Sequence, residues 1–260
     1  MTAAPQSPNH RDGTAVITGG GTGIGAGLAR ELARRGCDVL VVGRRSEPLE
    51  QVKAEVGSAV RTCSADISTH EGRRSVVAAV KSRGGSVAHL IHNAAVLGPV
   101  GPLAKISSAE WEAHFAVNLH APLLLTQALL GHIPRGGRIL NISSGAAHKA
   151  IRGWGAYCTS KAALFMLGRC LSEELEPQGI LVGSVRPGVV DTPMQEEIRG
   201  ASEEEFPSVE RFRELKSTDQ LLSVEEVGRF LAWLLLDVEG PRFSDAEWDI
   251  RDDRDVDGGD

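Results

Sequence analysis

Short apolar runs alternate with longer amphipathic segments along almost the whole chain. The apolar runs predict strands, over Thr14–Thr18, Asp38–Gly43, Ala59–Ser64, Val87–His92, Gly137–Ile142, Leu181–Val185 and, more weakly, Arg242–Asp249. The segments between them carry helical periodicity and predict helices over Gly23–Arg35, Glu47–Val56, His70–Ser82, Ala109–Leu130, Tyr157–Glu174 and Val224–Leu236.

This alternation predicts an α/β fold of the doubly wound, Rossmann type. Strands as apolar as these are buried on both faces, which is typical of a parallel sheet with helices on both sides. A β-α-β order requires right-handed crossovers, and ligands then bind beyond the carboxyl ends of the strands. We therefore expect one binding cleft along that edge of the sheet.

A chain of 260 residues is long enough for one well-buried domain. We place this domain at residues 13–250, after a disordered tail over residues 1–12. Residues 251–260 hold five Asp and two Arg and form an acidic tail. The segment 193–220 is long and charged and interrupts the strand-helix rhythm, and we interpret it as a substrate lid.

Composition narrows the functional classes. The formal net charge is -6, with no basic stripe that would indicate nucleic-acid binding. No run of 18 apolar residues occurs, so we expect no membrane span. The four cysteines lie far apart without metal-ligand spacing, which favours reduced thiols, a cytoplasmic location and no metal site.

A glycine run follows the first predicted strand, from Gly19 to Gly25. Glycines there permit a sharp turn and a close approach of a phosphate, and the next helix offers its free N–H groups to a pyrophosphate. The run alone is a weak signal, because glycine-rich turns also join strands to helices for steric reasons. The absence of Gly-Lys-Ser/Thr argues against a nucleotide triphosphatase loop.

The second strand ends at Arg44-Arg45, where an NAD site normally carries an acidic residue. Arginine there suits a 2′-phosphate and predicts NADP(H), unless the pair is merely solvated. Asp66 is positioned either to accept a hydrogen bond from the adenine amine or to cap the helix near Ser68. Asn93 either meets the cofactor or ties strand ends together, and the two roles are compatible.

Ser144, Tyr157 and Lys161 indicate the chemistry. Tyr157 and Lys161 are four residues apart and share one helix face. The ammonium is expected to lower the pKa of the phenol from about 10. Each residue alone also has a structural interpretation, as a core, solvated or turn-capping group. Together, behind a glycine run, they predict hydride transfer to or from a carbonyl.

In this order, Thr18–Gly25, Asn93-Ala94-Ala95, Asn118, Ser143-Ser144, Tyr157-x-x-x-Lys161 and Pro187-Gly188 resemble the short-chain dehydrogenase/reductase family. The resemblance runs from about Thr14 to Ile250. It implies a seven-stranded parallel Rossmann sheet and a catalytic tetrad of Asn118, Ser144, Tyr157 and Lys161. It also implies a homodimer or homotetramer. Ala95 stands where the family often has glycine and adds a methyl group near the cofactor.

Local runs at Ser143–Ala147, Gly153–Cys158, Val190–Gln195 and Glu210–Arg213 look like the benzil reductase and sepiapterin reductase-like group. That likeness implies NADPH-dependent reduction of vicinal dicarbonyl compounds. The alternative is a non-catalytic NADP(H) sensor, which would not need the tetrad. A nucleotide-sugar epimerase is disfavoured, because few residues follow Val190.

The residues expected at the cofactor are Gly19, Gly21, Thr22, Gly23, Ile24, Gly25, Arg44, Arg45, Asp66, Ile67, Asn93, Ala94, Ala95, Tyr157, Lys161, Pro187, Gly188, Val190 and Thr192. Those expected at the small-molecule substrate are Ser144, Trp154, Tyr157, Met194 and Phe212, with Phe206 as a further apolar wall. His114 and His148 are interpreted as incidental polar residues.

Overall fold

The computed structural model describes residues 13–253, which form seven parallel strands flanked by helices on both faces. The sheet order is β3-β2-β1-β4-β5-β6-β7. The strands are β1 (Thr14–Thr18), β2 (Asp38–Gly43), β3 (Val60–Ser64), β4 (Val87–His92), β5 (Arg138–Ile142), β6 (Leu181–Arg186) and β7 (Glu247–Asp249). The predicted Rossmann-type fold with seven parallel strands is confirmed.

The helices connect these strands and cover both faces of the sheet. They are α1 (Gly23–Arg34), α2 (Ser46–Val56), α3 (His70–Lys81), α4 (Ser108–Phe115), α5 (Ala121–Leu129), α6 (Gly155–Leu175), α7 (Pro193–Gly200), α8 (Val209–Ser217), α9 (Val224–Leu236), α10 (Gly240–Asp245) and α11 (Ile250–Asp253). One core cluster packs α1 and α9 on the sheet, and another packs α3 and α5 on the opposite face. Apolar side chains alternate between these clusters along β1, since successive residues point to opposite faces.

The strand order reverses between β1 and β4, which are neighbours in the sheet. At such a switch point the connections leave in opposite directions, and a crevice opens beyond the carboxyl ends of the two strands. The first turn after β1 and the loop after β4 therefore lie side by side, where the sequence predicts the cofactor.

Two predicted elements differ from the structure by more than two residues. The expected helix Ala109–Leu130 is interrupted by a π-helical segment, Ala116–His120, between α4 and α5. The expected strand Arg242–Asp249 is wrong over its first half, where Pro241 occupies the first turn of α10 and favours a helix start. Only Glu247–Asp249 pairs with β6.

The segment 193–220 contains α7 and α8, which pack on a third apolar cluster beside the cleft. This cluster includes Trp154, Ile198, Phe206 and Val209. Residues 251–253 of the expected acidic tail belong to α11. The expected tail 1–12 and residues 254–260 lie outside the described residues.

Candidate active site

A cleft of about 740 Å³ runs along the carboxyl ends of the central strands. One end, called the nucleotide end after the prediction from the sequence, is formed by the turn Gly19–Ile24 with Arg44 and Asp66. The other, called the catalytic end on the same basis, is formed by Ser144, Tyr157 and Lys161. All predicted cofactor and substrate residues line this cleft except Gly25 and Phe206, and the tetrad member Asn118 does not line it either. The structure thus brings two motifs, more than 100 residues apart in sequence, into one cavity.

The turn after β1 depends on glycine for conformation and for space. Gly19 and Gly23 have φ of 65° and 52°, in the left-handed region that favours glycine. A Cβ on Gly25 would lie 2.3 Å from the Gly19 carbonyl oxygen. Gly25 therefore holds α1 against the turn and does not face the cleft.

The start of α1 is open to an anion. Thr22 is the N-cap residue, and its side chain makes no capping hydrogen bond. The first backbone N–H groups of a helix have no partners within the helix and carry its positive dipole end. A pyrophosphate that entered between this terminus and Gly21 would meet donors already oriented toward it.

Asn93 joins the ends of β1 and β4. Its Nδ2 donates to the carbonyl oxygens of Thr18, at 2.9 Å, and Gly19, at 3.1 Å. The Thr18 hydroxyl in turn accepts from the Asn93 and Ala94 backbone N–H groups, at 3.0 and 3.1 Å. Asn93 therefore ties the two strand ends together, and it also lines the cleft.

Arg44 and Arg45 are exposed and line the nucleotide end. Within residues 13–253, neither guanidinium is in a salt bridge. Asp66 does not cap α3, because the cap is Thr69, whose hydroxyl accepts from Gly72 N. Asp66 instead accepts from Ser68 N and Oγ, and these bonds, with the nearby Arg44 charge, lower its pKa.

Tyr157 and Lys161 are both buried on α6, with Lys161 Nζ 5.7 Å from the centre of the Tyr157 ring. Burial raises the pKa of Tyr157 to about 12, although a hydrogen bond with Ser144 opposes the shift. Burial also lowers the pKa of Lys161 to about 8. The expectation of a lowered phenol pKa is wrong for the protein without cofactor, because dehydration of the phenolate outweighs the hydrogen bond with Ser144.

Lys161 connects α6 to the end of β5. Its Nζ donates to the Ile142 carbonyl oxygen at 2.7 Å. Ser144 follows two residues later, and its hydroxyl accepts from Ala146 N at 3.1 Å, which caps a short 3₁₀ turn. These bonds fix the serine and the ammonium at the corner of the cleft that Tyr157 also lines.

Asn118 lies in the π-helical segment and is buried. Its Oδ1 accepts from Val96 N and its Nδ2 donates to Val96 O, both at 2.9 Å. Nδ2 is also 3.0 Å from His114 Nε2 and 3.2 Å from Ser160 Oγ. The side chain of Asn118 therefore holds the cleft wall at Val96 and does not enter the cleft.

Aromatic side chains close the catalytic end. The Trp154 and Phe206 rings stack with centroids 4.6 Å apart, and Trp154 meets Tyr157 edge-on at 5.7 Å. Phe206 is fully buried behind Trp154, so its expected place in the wall is wrong. Met194 and Phe212 are half-buried and do line the cleft with Trp154.

Sequence reasoning missed a buried pair, His114 and Ser160, beside Tyr157 and Lys161. His114 Nε2 lies 2.8 Å from Ser160 Oγ, and His114 Nδ1 lies 2.6 Å from the Gly98 carbonyl oxygen. His114 is not incidental. Its position four residues before Asn118, on one helix face, is the signal that could have identified it.

The family model for short chain dehydrogenases matches residues 13–203. The chain belongs to this family. It is therefore an oxidoreductase with the family's fold, and the family resemblance seen in the sequence is confirmed. Benzil reductase ((S)-benzoin forming) of Bacillus cereus is 33% identical over 87% of this chain and 95% of its own.

Two solved structures show family relatives with nicotinamide cofactors. A short chain dehydrogenase from Burkholderia cenocepacia in complex with NADP has a TM-score of 0.77 and 27% identity, over 93% of this chain and 96% of its own. A 3-ketoacyl-(acyl-carrier-protein) reductase from Brucella melitensis complexed with NADH has a TM-score of 0.78 and 26% identity, over 93% and 97%. Enzymes of this fold thus bind either cofactor.

The cleft fits such a cofactor on its own geometry, with a turn that depends on glycine, an α1 terminus without a side-chain cap and, at the same end, Arg44 and Arg45, which form no ion pair with any other residue of 13–253. In the part of the chain that the structure describes, no group of three or more His, Cys, Asp or Glu could hold a metal ion. None of the helices described is long and apolar enough to cross a membrane.

Proposed function

We propose that this protein is an NADPH-dependent carbonyl reductase that acts on ketones and vicinal diketones with aromatic groups. The observation that carries the proposal is the burial of Tyr157 and Lys161 at one end of a cleft whose other end is a glycine turn. A protonated phenol beside a nicotinamide is what reduction of a carbonyl requires.

The preference for NADPH rests on Arg44 and Arg45. They follow β2 at the position where an acidic residue would accept the ribose 2′-hydroxyl of NAD. Each guanidinium is exposed and offers several donors to a 2′-phosphate. Gly19–Ile24 and the start of α1 would hold the pyrophosphate, and Asp66 and Ile67 line the cleft where an adenine would lie.

Bound NADPH supplies the hydride. Ser144 orients the substrate carbonyl by donating a hydrogen bond to its oxygen, which stabilises developing negative charge. Tyr157 then donates its proton to that oxygen as a general acid. With a pKa near 12 the phenol is protonated at neutral pH, and the alkoxide, a far stronger base, takes the proton readily.

Lys161 carries a positive charge at neutral pH, because its pKa is about 8. The charge stabilises the phenolate that remains after proton transfer, while the bond to the Ile142 carbonyl fixes the side chain.

Asn118 contributes from the π-helical segment. A π segment disturbs the regular backbone hydrogen bonds of a helix, and a freed carbonyl there would hold a water that returns protons to Lys161. Val190 and Thr192 would contact the nicotinamide carboxamide.

The aromatic substrate preference rests on the walls formed by Trp154, Met194 and Phe212 and on the likeness to a benzil reductase. Flat aromatic groups pack against such walls by stacked or edge-on contacts. Helices α7 and α8 carry two of these residues, which supports a lid role for the segment 193–220.

The test is a spectrophotometric assay of NADPH oxidation with benzil, aliphatic diketones, a sepiapterin-type side chain and simple aromatic ketones. We expect turnover, fastest with aryl diketones. NADPH binding without oxidation across the panel would favour the alternative of a cofactor sensor.

We also propose that the protein self-associates. Leu124 on α5 and Met166 on α6 are exposed apolar side chains, and Met166 is 58% exposed. Contact between copies would cover them. Sedimentation of the wild type and of Met166→Glu measures this, and a monomeric wild type would contradict it. We propose, separately, that the protein is located in the cytoplasm.

A further inference from the structure

His114 lies where three elements that form the catalytic end meet. It belongs to the last turn of α4, and it contacts the loop after β4 through Gly98 and helix α6 through Ser160. Ser160 stands between Tyr157 and Lys161 in sequence. The residue is 1% exposed, and its hydrogen-bond partners among the described residues include Gly98, Ser160 and Asn118.

The hydrogen bonds define the tautomer of this imidazole. The Gly98 carbonyl only accepts, so Nδ1 carries the hydrogen. Asn118 cannot be flipped, because its Oδ1 accepts from Val96 N and its Nδ2 donates to Val96 O. The second hydrogen of Nδ2 lies near both Nε2, at 3.0 Å, and Ser160 Oγ, at 3.2 Å, while the Ser160 hydroxyl lies 2.8 Å from Nε2 and 3.0 Å from the Tyr157 carbonyl oxygen. An unprotonated Nε2 that accepts from the Ser160 hydroxyl satisfies all of these groups.

We infer that His114 is a positioning residue, which uses its unprotonated Nε2 to hold Asn118 and Ser160 together and so fixes the Tyr157–Lys161 turn against the cleft wall. The inference rests on the proposed reductase function. His114 touches neither substrate nor cofactor, since it does not line the cleft. Its effect on turnover acts through Asn118 and Ser160.

Protonation of His114 would break this arrangement. A hydrogen on Nε2 would face the Asn118 N–H at 3.0 Å, and the Ser160 hydroxyl would no longer donate to Nε2 but turn to the Tyr157 carbonyl oxygen, 3.0 Å away. Burial and the charge of Lys161 both lower the pKa of His114 from 6.5, while backbone hydrogen bonds to Gly98 and Ala156 oppose this. Lys161 on α6 is the charged group of the described residues that acts on it. The arrangement is therefore intact at neutral pH and is lost in acid.

Two substitutions separate the two ends of the imidazole. In His114→Gln the amide oxygen reaches the place of Nε2 and can still accept from Asn118 and Ser160. In His114→Asn the shorter amide keeps a donor for Gly98 and leaves the place of Nε2 empty. Each variant keeps the hydrogen bond of one side of the ring and loses that of the other, and asparagine also loses one methylene group of packing relative to glutamine.

The experiment measures kcat, KM and their pH dependence for both variants with NADPH and the best diketone of the panel. We expect His114→Asn to lower kcat about tenfold, the value of one lost hydrogen bond of about 1.4 kcal/mol, with little change in KM. We expect His114→Gln to keep most of the wild-type kcat and to lose the fall in kcat below pH 6.5. Equal losses in both variants, or an acid limb that persists in His114→Gln, would overturn the inference.

Two further readouts do not need turnover. Nitrogen NMR of the wild-type imidazole should show the neutral Nδ1–H tautomer at pH 7, and a protonated ring would overturn the inference. Tyr157 is the only tyrosine in the chain, so near-ultraviolet absorbance reports its ionisation alone. We expect the pH midpoint of Tyr157 ionisation to be lower in His114→Asn than in His114→Gln, because a loosened turn lets water reach the phenol. Identical midpoints in the two variants would count against the inference. Absence of any carbonyl reduction by the wild type would instead contradict the proposed function.

Discussion

The nucleotide end of the cleft and its catalytic end are formed by different kinds of chemical groups. At the nucleotide end, backbone conformation and exposed guanidinium groups provide the site, with Gly19 and Gly23 in the left-handed region and Arg44 in solvent. At the catalytic end, Tyr157 and Lys161 are buried and their pKa values are shifted, to about 12 and about 8.

This difference shows which forces each end depends on. A site of backbone donors and surface cations gains its affinity from charge and shape, which need little burial. A site of buried titratable groups depends on dehydration, which packing controls. Substitutions at the nucleotide end should therefore lower cofactor affinity. Substitutions at the catalytic end should instead lower turnover or alter its pH dependence.

The largest expected effect is that of Tyr157→Phe. Loss of the proton donor should lower kcat about thousandfold, within the range for general acid catalysis. NADPH affinity, measured by fluorescence titration, should change little because the ring stays in place. A kcat within tenfold of wild type would assign the proton to another group.

Arg44→Asp should act on the other end. Loss of charge-assisted bonds to a 2′-phosphate, together with repulsion, should raise the KM for NADPH about hundredfold and leave that for NADH nearly unchanged. Arg74→Asp is the matched control, because Arg74 is exposed and does not line the cleft. An unchanged preference for NADPH in Arg44→Asp would contradict the cofactor assignment.

Gly25→Ala tests the packing beneath the nucleotide end. The added methyl would clash with the Gly19 carbonyl oxygen and with Asn93 Nδ2, at 2.3 and 2.6 Å. We expect the free energy of unfolding in urea to fall by about 1–3 kcal/mol. Gly131→Ala, which meets nothing within 4 Å, should be nearly neutral, and equal effects of the two would refute the steric argument.

Lys161→Met should remove turnover yet stabilise the fold near neutral pH, by about 1–3 kcal/mol at most, because a buried charge is costly. The pKa of Lys161 is lowered from 10.5 to about 8, so the wild type bears this cost fully below pH 8 and not above pH 10.5. The stability difference should therefore shrink as the pH rises between these values. Lys81→Met, at an exposed site, should show no such dependence, and a Lys161→Met variant less stable than wild type at pH 7 would contradict the argument.

The elements with strong periodicity were predictable from the sequence. The strands β1, β2 and β4 have the predicted bounds, because continuous apolar runs next to glycine or polar turns have one reasonable interpretation. The π-helical segment around Asn118 was not predictable. Ala109–Leu130 carries helix-favouring residues throughout, and the wider turn of a π-helix does not change which residue types favour a helix. The expected strand Arg242–Asp249 overlaps α10, because Pro241 favours a helix start there.

The sequence by itself determined the family, the doubly wound sheet and the residues that gather along one cleft, because these depend on local pattern and on motif spacing. Only the tertiary structure decided that burial raises the pKa of Tyr157, that Phe206 lies behind the wall and not in it, and that His114 joins Ser160 across 46 residues of chain. Dehydration and hydrogen-bond partnership are sums over neighbours from several distant segments, and no single segment encodes them.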